Sequence, residues 1–330
     1  MNKSRWGILS TAKIGTQKVI PAIQKAYNCE VTAIASRDAD KAQEHASTLG
    51  IEKAYGTYEA LLDDPDIDII YNPLPNHLHV AYTIKALEAG KHVLCEKPIG
   101  LNTAEAEELL ERAADFPKLK VMEAFMYRFH PHWIKTIELI KEGAVGEVKA
   151  IQSFFSYNNP DPKNIRNQAD IGGGALMDIG CYCISFPRFI LGAEPLRAVG
   201  LIDRDPEMKI DRITSAMLDF GEGRVSTFTC STQLMPYQRI QIVGINGRIE
   251  IEIPVNAPPD RSVKIYLNTP QRSERMSFEA VDQYALQAEA FAAAVLNDTP
   301  VPTPLSDALN NMKVIDAIFK SAEHKQWENM

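Results

Sequence analysis

Lys97 has the strongest claim to chemistry in this sequence. It stands in Cys95-Glu96-Lys97-Pro98, directly after the apolar run His92–Cys95. An amine at the end of a buried strand needs a partner or a task, because lysine is rarely taken out of water without one. In open α/β sheets ligands bind at the carboxyl ends of strands. Pro98 restricts the backbone of the residue before it to extended or turn geometry, which fixes Lys97. The structural alternative is a rim ion pair between Lys97 and Glu96. Adjacent residues of an extended segment project to opposite sides, which tells against it.

A second constellation is Gly172-Gly173-Gly174-Ala175-Leu176-Met177-Asp178-Ile179-Gly180-Cys181-Tyr182. Three glycines let backbone pass close to a ligand before a helix begins. Asp178 and Tyr182 are four residues apart and share one helix face. A carboxylate and a phenol near a lysine form a proton-handling group, since a phenol of reference pKa ~10 falls beside an ammonium. On spacing alone the simpler reading is a carboxylate at a helix N-terminus and a tyrosine packed in the core.

Two further segments suit a dinucleotide. Gly7-Ile8-Leu9-Ser10-Thr11-Ala12-Lys13-Ile14-Gly15 sits where a strand turns into a helix. Small residues there let N–H groups at the helix N-terminus approach a pyrophosphate. The usual fingerprint has glycine where this chain has Ser10 and Ala12, and a tight turn in any α/β protein looks similar. The next strand ends in Ser36-Arg37-Asp38. An enzyme using NAD places a carboxylate at that tip for the ribose 2′-hydroxyl; a hydroxyl with a guanidinium suits a 2′-phosphate instead. NADP is therefore the expected cofactor. Asp38 leaves room for NAD; the plainer alternative, a solvated surface charge at Arg37, is the less favoured reading.

The elements around these residues alternate in period. Strands are expected at 6–9, 30–35, 68–71, 92–95 and 120–124, with helices at 14–27, 41–49, 80–88 and 105–114 between them. That alternation implies parallel βαβ units and a doubly wound sheet. After residue 146 the runs 148–155, 196–202, 213–220, 225–230, 240–243, 249–253 and 263–267 read as strands separated by turn signals such as Asn246-Gly247. Helices near 282–296 and 306–320 close the chain. The expected architecture is α/β: a Rossmann domain over residues 1–124 and an α+β domain over 125–330 with a large, open, mostly antiparallel sheet, the C-terminal helix free to pack back on the first domain. An open sheet face calls for a cover, and a second copy of the chain is the usual one.

At 330 residues the chain exceeds what one core usually serves. Its net charge of −8 disfavours nucleic acid as a partner. The five cysteines, Cys29, Cys95, Cys181, Cys183 and Cys230, read as buried thiols rather than disulfides or metal ligands. No metal is expected. No apolar run approaches the ~20 residues of a membrane span. With no targeting peptide at its start, the protein is expected to be cytoplasmic.

Together these motifs resemble the glucose-fructose oxidoreductase, inositol dehydrogenase and rhizopine-catabolism family. The resemblance rests on Glu96-Lys97-Pro98, Pro75-Asn76-His77-Leu78-His79 and the block from Gly172 to Tyr182. Arg5-Trp6-Gly7-Ile8-Leu9-Ser10 and the stretch from Met122 to Pro131 are similar to the branch of dimeric dihydrodiol dehydrogenases and NADP-dependent D-xylose dehydrogenases. The resemblance implies hydride transfer between NADP and a sugar-like alcohol or carbonyl. Lys97, Tyr182 and Asp178 would be catalytic, with Tyr182 standing where many members have histidine. Ser10, Thr11, Ala12, Ile14, Ser36, Arg37, Leu74, Asn76, His79, Glu96, Lys97 and Arg166 would line the cofactor, and Arg128 is a further candidate for the substrate. A keto-sugar reductase and a non-catalytic, cofactor-sensing regulator are the alternatives.

Overall fold

The computed structural model describes residues 3–330. It divides into two compact units: the chain up to Met126 with Asp282–Leu309, and Tyr127–Val281 with Asn310–Met330. The return of the segment Asp282–Leu309 to the first unit departs from the expected division at residue 124. Its cause is packing. Phe291 meets Trp6 edge to face at 6.1 Å, both fully buried, and the Asn28 amide donates to the Glu289 carbonyl at 3.0 Å.

The first unit is built on β1 (Ser4–Leu9), α1 (Ile20–Lys25), β2 (Cys29–Ala35), α2 (Ala39–Leu49), β3 (Lys53–Tyr55), α3 (Tyr58–Leu62), β4 (Ile69–Asn72), α4 (His79–Glu88), β5 (His92–Cys95), α5 (Thr103–Ala114) and β6 (Val121–Glu123). Its six strands are all parallel, in the order β3-β2-β1-β4-β5-β6. The order reverses between β1 and β4, the place where such sheets bind ligands. Strand β4 is buried along its length, as the continuous apolar run of a doubly covered strand requires. Helices begin where polar side chains cap them: Asp38 for α2, Thr57 for α3 and Asn102 for α5 each accept a backbone N–H. Strand β3 and helix α3, three and five residues long, are too short to show a period in the sequence.

The second unit contains α6 (Pro131–Lys141), β7 (Val148–Asn158), α7 (Cys181–Leu191), β8 (Arg197–Arg204), β9 (Asp211–Asp219), β10 (Val225–Ser231), β11 (Gln233–Gly244), β12 (Gly247–Ile251), β13 (Val263–Asn268) and β14 (Ser273–Phe278). Helix α8 (Gln283–Leu296) belongs to the first unit, and α9 (Leu305–His324) and β15 (Glu328–Asn329) end the chain. The nine strands run in the order β14-β13-β12-β11-β7-β10-β9-β8-β15, antiparallel except for β10 beside β7. Helix α7 covers β7 and β10 on one face. Leu201, Met217 and Tyr237 are exposed on this sheet, Leu201 at 77%.

One stretch, Ala169–Leu191, is long and apolar enough by composition to cross a membrane, contrary to the expectation from the sequence. Its most apolar window is 83% buried within the fold, as expected of a core helix. All five cysteines are buried free thiols.

Candidate active site

Strand β1 delivers the chain to Ser10, which lies in the left-handed region at φ +72°. That conformation accounts for the usual glycine at this place. Here serine takes it and folds its hydroxyl back to accept the Ala12 N–H at 3.2 Å. The helix that follows includes one π-helical turn, Gly15–Val19, before α1. The Ala12 carbonyl accepts the Thr16 N–H at 3.0 Å, and the N–H groups of the turn before it have no earlier helical carbonyl to bond, as at any helix start. Ser10, Thr11, Ala12 and Ile14 lie around this turn, with Ser10, Thr11 and Ile14 half-buried. The arrangement fits a pyrophosphate.

At the tip of β2, Ser36 is buried and its hydroxyl accepts the Asp38 N–H at 3.2 Å. The Asp38 carboxylate caps α2 by accepting the Lys41 N–H at 3.2 Å. The one acid near the strand tip is therefore committed to a helix start. Arg37 is exposed beside the phenol of buried Tyr58, whose titration its charge pulls down against the larger effect of burial.

The end of β5 is tied to the end of β4. Asn72 pairs with Cys95, and the Asn72 carbonyl accepts the Glu96 N–H at 3.0 Å. The Tyr71 hydroxyl donates to the Glu96 carboxylate at 2.7 Å. Burial and the Glu96 charge raise Tyr284 well above the ordinary phenol range. Lys97 is half-buried one residue beyond, and its peptide bond to Pro98 is cis. Asn72, not singled out in the sequence, is fully buried. Its amide donates to the His79 carbonyl at 3.1 Å and to Thr83, and its side-chain oxygen accepts the Leu74 N–H. Leu74 is buried and Asn76 half-buried in the loop so formed. His79, also expected to line the cofactor, follows at the start of α4. Its ring is buried, with Nδ1 2.7 Å from the Pro98 carbonyl and Nε2 2.7 Å from the Leu74 carbonyl.

In the second unit the glycine block folds against protein. A Cβ on Gly173 would fall 2.7 Å from the Arg166 carbonyl, and one on Gly174, at φ +124°, would overlap the Asp211 carboxylate. The glycines thus serve close packing of their own loop, where the sequence suggested approach to a ligand. A π-helical turn, Leu176–Gly180, precedes α7 and carries Asp178; such turns recur at functional sites. The Tyr157 hydroxyl donates to Asp178 at 2.6 Å and Arg166 Nε donates at 3.0 Å. Two donors favour the ionised carboxylate. Burial, then the Asp178 charge, hold the Tyr157 phenol far above its ordinary value. Sequence reasoning missed Tyr157, which lies beyond the expected end of β7. Tyr182 is buried, its ring edge to face with Tyr127 and Phe155 at 6.0 Å from each. Arg128 donates to Ser185 at 2.7 Å and lies over Phe189.

The structure brings together Asp178, Arg166 and Tyr157 in one unit, and Lys97, Glu96, Leu74 and His79 in the other. Residues 4–125 match the model of the oxidoreductase family with an NAD-binding Rossmann fold, and residues 133–250 match the GFO/IDH/MocA C-terminal domain. This chain belongs to the GFO/IDH/MocA oxidoreductase family. It is 37% identical over 319 residues to a D-xylose 1-dehydrogenase (NADP(+)) of Haloferax volcanii, covering 96% of this chain and 97% of that protein. It is 32% identical over 293 residues to trans-1,2-dihydrobenzene-1,2-diol dehydrogenase of Xenopus laevis, covering 87% of each. A 3-ketoreductase from Actinomadura kijaniata, solved in complex with NADP and TDP-benzene, superposes with a TM-score of 0.90 at 31% identity, covering 97% of this chain and 98% of that one.

Asp211 holds the helix start that carries Asp178. Its carboxylate accepts the Leu176 N–H at 2.7 Å and the Thr214 hydroxyl at 2.8 Å. Burial outweighs these donors and raises it from 3.8 to about 6. Between about pH 4 and 6 the folded chain keeps a proton that the unfolded chain has released, so the contribution of Asp211 to stability falls as pH rises through that window. The full swing is on the order of 3 kcal/mol. Urea unfolding of wild type and Asp211→Asn at stepped pH should therefore give a stability difference that shifts against wild type from pH 4 to pH 6. Parallel pH profiles for the two proteins would refute this.

Proposed function

We propose that this protein transfers hydride between NADP(H) and a sugar-like alcohol or carbonyl, as an aldose 1-dehydrogenase or trans-dihydrodiol dehydrogenase does. The observation that carries the reading is the composition of one sheet rim. The Ser10–Gly15 turn, Ser36 with Arg37, and Lys97 stand at the carboxyl ends of β1, β2 and β5. The turn suits a pyrophosphate, and Ser36 with Arg37 suits a 2′-phosphate once Asp38 is engaged as a cap. Glu96 and Asn76 would complete the cofactor's surroundings, with Arg166 toward its reactive end.

When bound, the nicotinamide supplies or accepts the hydride. In reduction Lys97 would hold the substrate oxygen through its ammonium. Two groups are the candidates for handling the hydroxyl proton, Lys97 as the free amine and Tyr182 as the phenolate, and the proton is assigned to neither alone. In oxidation these groups take it, and in reduction they return it. Asp178, ionised between Arg166 and Tyr157, accepts a hydrogen bond from a second substrate hydroxyl. A keto-sugar reductase is the second reading, favoured by the likeness to the 3-ketoreductase. Assaying aldoses, polyols and keto-sugars with NADP⁺ and NADPH at the nicotinamide absorbance band separates the two, and no turnover with any of them would count against both.

The cytoplasm is the proposed location, and a homodimer the proposed assembly. Phe154, Leu201, Met217, Tyr237 and Arg239 help line a cavity of about 590 Å³ on the nine-stranded sheet. A second copy would cover such a face with a self-complementary interface. Light scattering at micromolar concentration should give twice the chain mass; a monomer would contradict it.

Arg37→Ala should weaken NADP(H) by about 1.5–3 kcal/mol, the range for hydrogen bonds to charged groups, and leave NAD(H) nearly unchanged. Fluorescence titration of both cofactors at one salt concentration checks this, and equal losses would overturn it. Lys97→Met should lower turnover by ~10²–10⁴-fold with cofactor affinity retained. Tyr182→Phe should also slow turnover, and the double variant should fall short of the product of the two losses. A Lys97→Met protein with near-normal kinetics would support the rim ion pair instead.

A further inference from the structure

His79 is buried, carries two ring nitrogens, and is almost sealed from solvent at 1% exposure. Both nitrogens are engaged with main chain: Nδ1 lies 2.7 Å from the Pro98 carbonyl and Nε2 lies 2.7 Å from the Leu74 carbonyl. Pro98 immediately follows Lys97, and Leu74 belongs to the loop after β4. We infer that His79 is a positioning residue whose ring, in its Nδ1–H tautomer, donates to the Pro98 carbonyl and so holds Lys97 at its place on the sheet rim. The inference rests on the reading of Lys97 as the group that meets the substrate.

Asn72 anchors the backbone of His79 and the Leu74 end. The Asn72 amide fixes the His79 carbonyl at 3.1 Å, and the Asn72 side-chain oxygen fixes the Leu74 N–H at 3.3 Å. The Asn72 main chain accepts from Glu96 at 3.0 Å. The ring therefore sits between two strand ends that already share a ladder, and the carbonyl its Nδ1–H secures belongs to the neighbour of the lysine. Without the ring the buried Pro98 carbonyl would lack this partner, a loss that shifts backbone to find another. The Lys97 backbone would move with it. A displacement of about 1 Å at a reacting group is enough to cost on the order of 10²-fold in rate.

The charge state agrees with a structural tie rather than a proton carrier. Burial, with the Lys97 charge as a lesser cause, pushes the ring down to about 4. Near pH 7 the imidazole is neutral and carries one N–H, which the tie to Pro98 places on Nδ1; Nε2 then has no hydrogen to give the Leu74 carbonyl. That role differs from lining the cofactor. It predicts an effect on rate, exerted through Lys97, and little effect on cofactor affinity.

The test uses His79→Leu, with His79→Gln as the milder variant should leucine prevent folding. Each is compared with wild type for folded fraction, NADP(H) dissociation constant and kcat per folded enzyme, on whichever substrate the panel identifies. The expected result is a fall in kcat of fivefold or more with the dissociation constant within threefold of wild type. Adding the same change to Lys97→Met should then cost less than a further twofold. A smaller fall in kcat, whatever happens to the melting temperature, overturns the inference. So does a cofactor affinity loss of tenfold, or a full additional loss on the Lys97→Met background. If Lys97→Met itself turns over normally, the functional reading has failed; if it is inactive while His79→Leu keeps its kcat, only this inference has.

Discussion

A parallel sheet covered on both faces leaves no room for polar side chains along its strands, and this constraint organises the first unit. Strand β4 is buried throughout, and β1, β5 and β6 nearly so. Backbone groups inside are satisfied by the ladder. Unsatisfied N–H groups and charged side chains can stand only at the strand ends and helix starts. Ser10, Ser36, Arg37 and Lys97 all occupy such positions. Reversal of strand order between β1 and β4 opens the rim at the place where a dinucleotide fits.

Holding groups at a rim requires anchoring behind it, and much of the polar detail does this. Asn72 is fully buried and uses its oxygen and its amide nitrogen within the loop and helix after β4. Asp38 caps a helix start, one of its oxygens accepting the Lys41 N–H. In the second unit Asp211 does the equivalent for the segment bearing Asp178, although this buries a carboxyl group. Gly174 is the counterpart of that arrangement, since no side chain fits between its backbone and the Asp211 carboxylate. The charged and phenolic groups around Asp178 are then set by the loop that these contacts fold.

Much of this was legible in the residues. The alternation of strands and helices before residue 124 and the strands after residue 146 come from periods long enough to read. Lys97 was legible because a lysine that follows a buried apolar run and precedes a proline seldom stands there without a task. Other features were not legible, for identifiable physical reasons. Strand β3 and helix α3 are too short to carry a period. The return of α8 to the first unit depends on Trp6 meeting Phe291, a contact between residues far apart in the chain. Tyr157 and Asp211 act through partners 21 and 35 residues away, at Asp178 and Leu176. The sequence motif containing His79 marked this loop, yet the direction of its ring depends on where β5 ends. The glycine block suggested a ligand approach because spacing cannot tell a ligand from a neighbouring loop.

Hydride moving between a carbinol carbon and the nicotinamide, with Lys97 at the substrate oxygen, is the central claim. The most direct measurement is isotopic. Wild-type protein is incubated with NADP⁺ and an alcohol substrate carrying deuterium at the carbinol carbon, and the reduced cofactor is weighed by mass spectrometry. The cofactor should gain the deuterium, with Lys97→Met slowing its appearance by ~10²-fold or more. Deuterium released to water, or a reduced cofactor without the label, would contradict the claim.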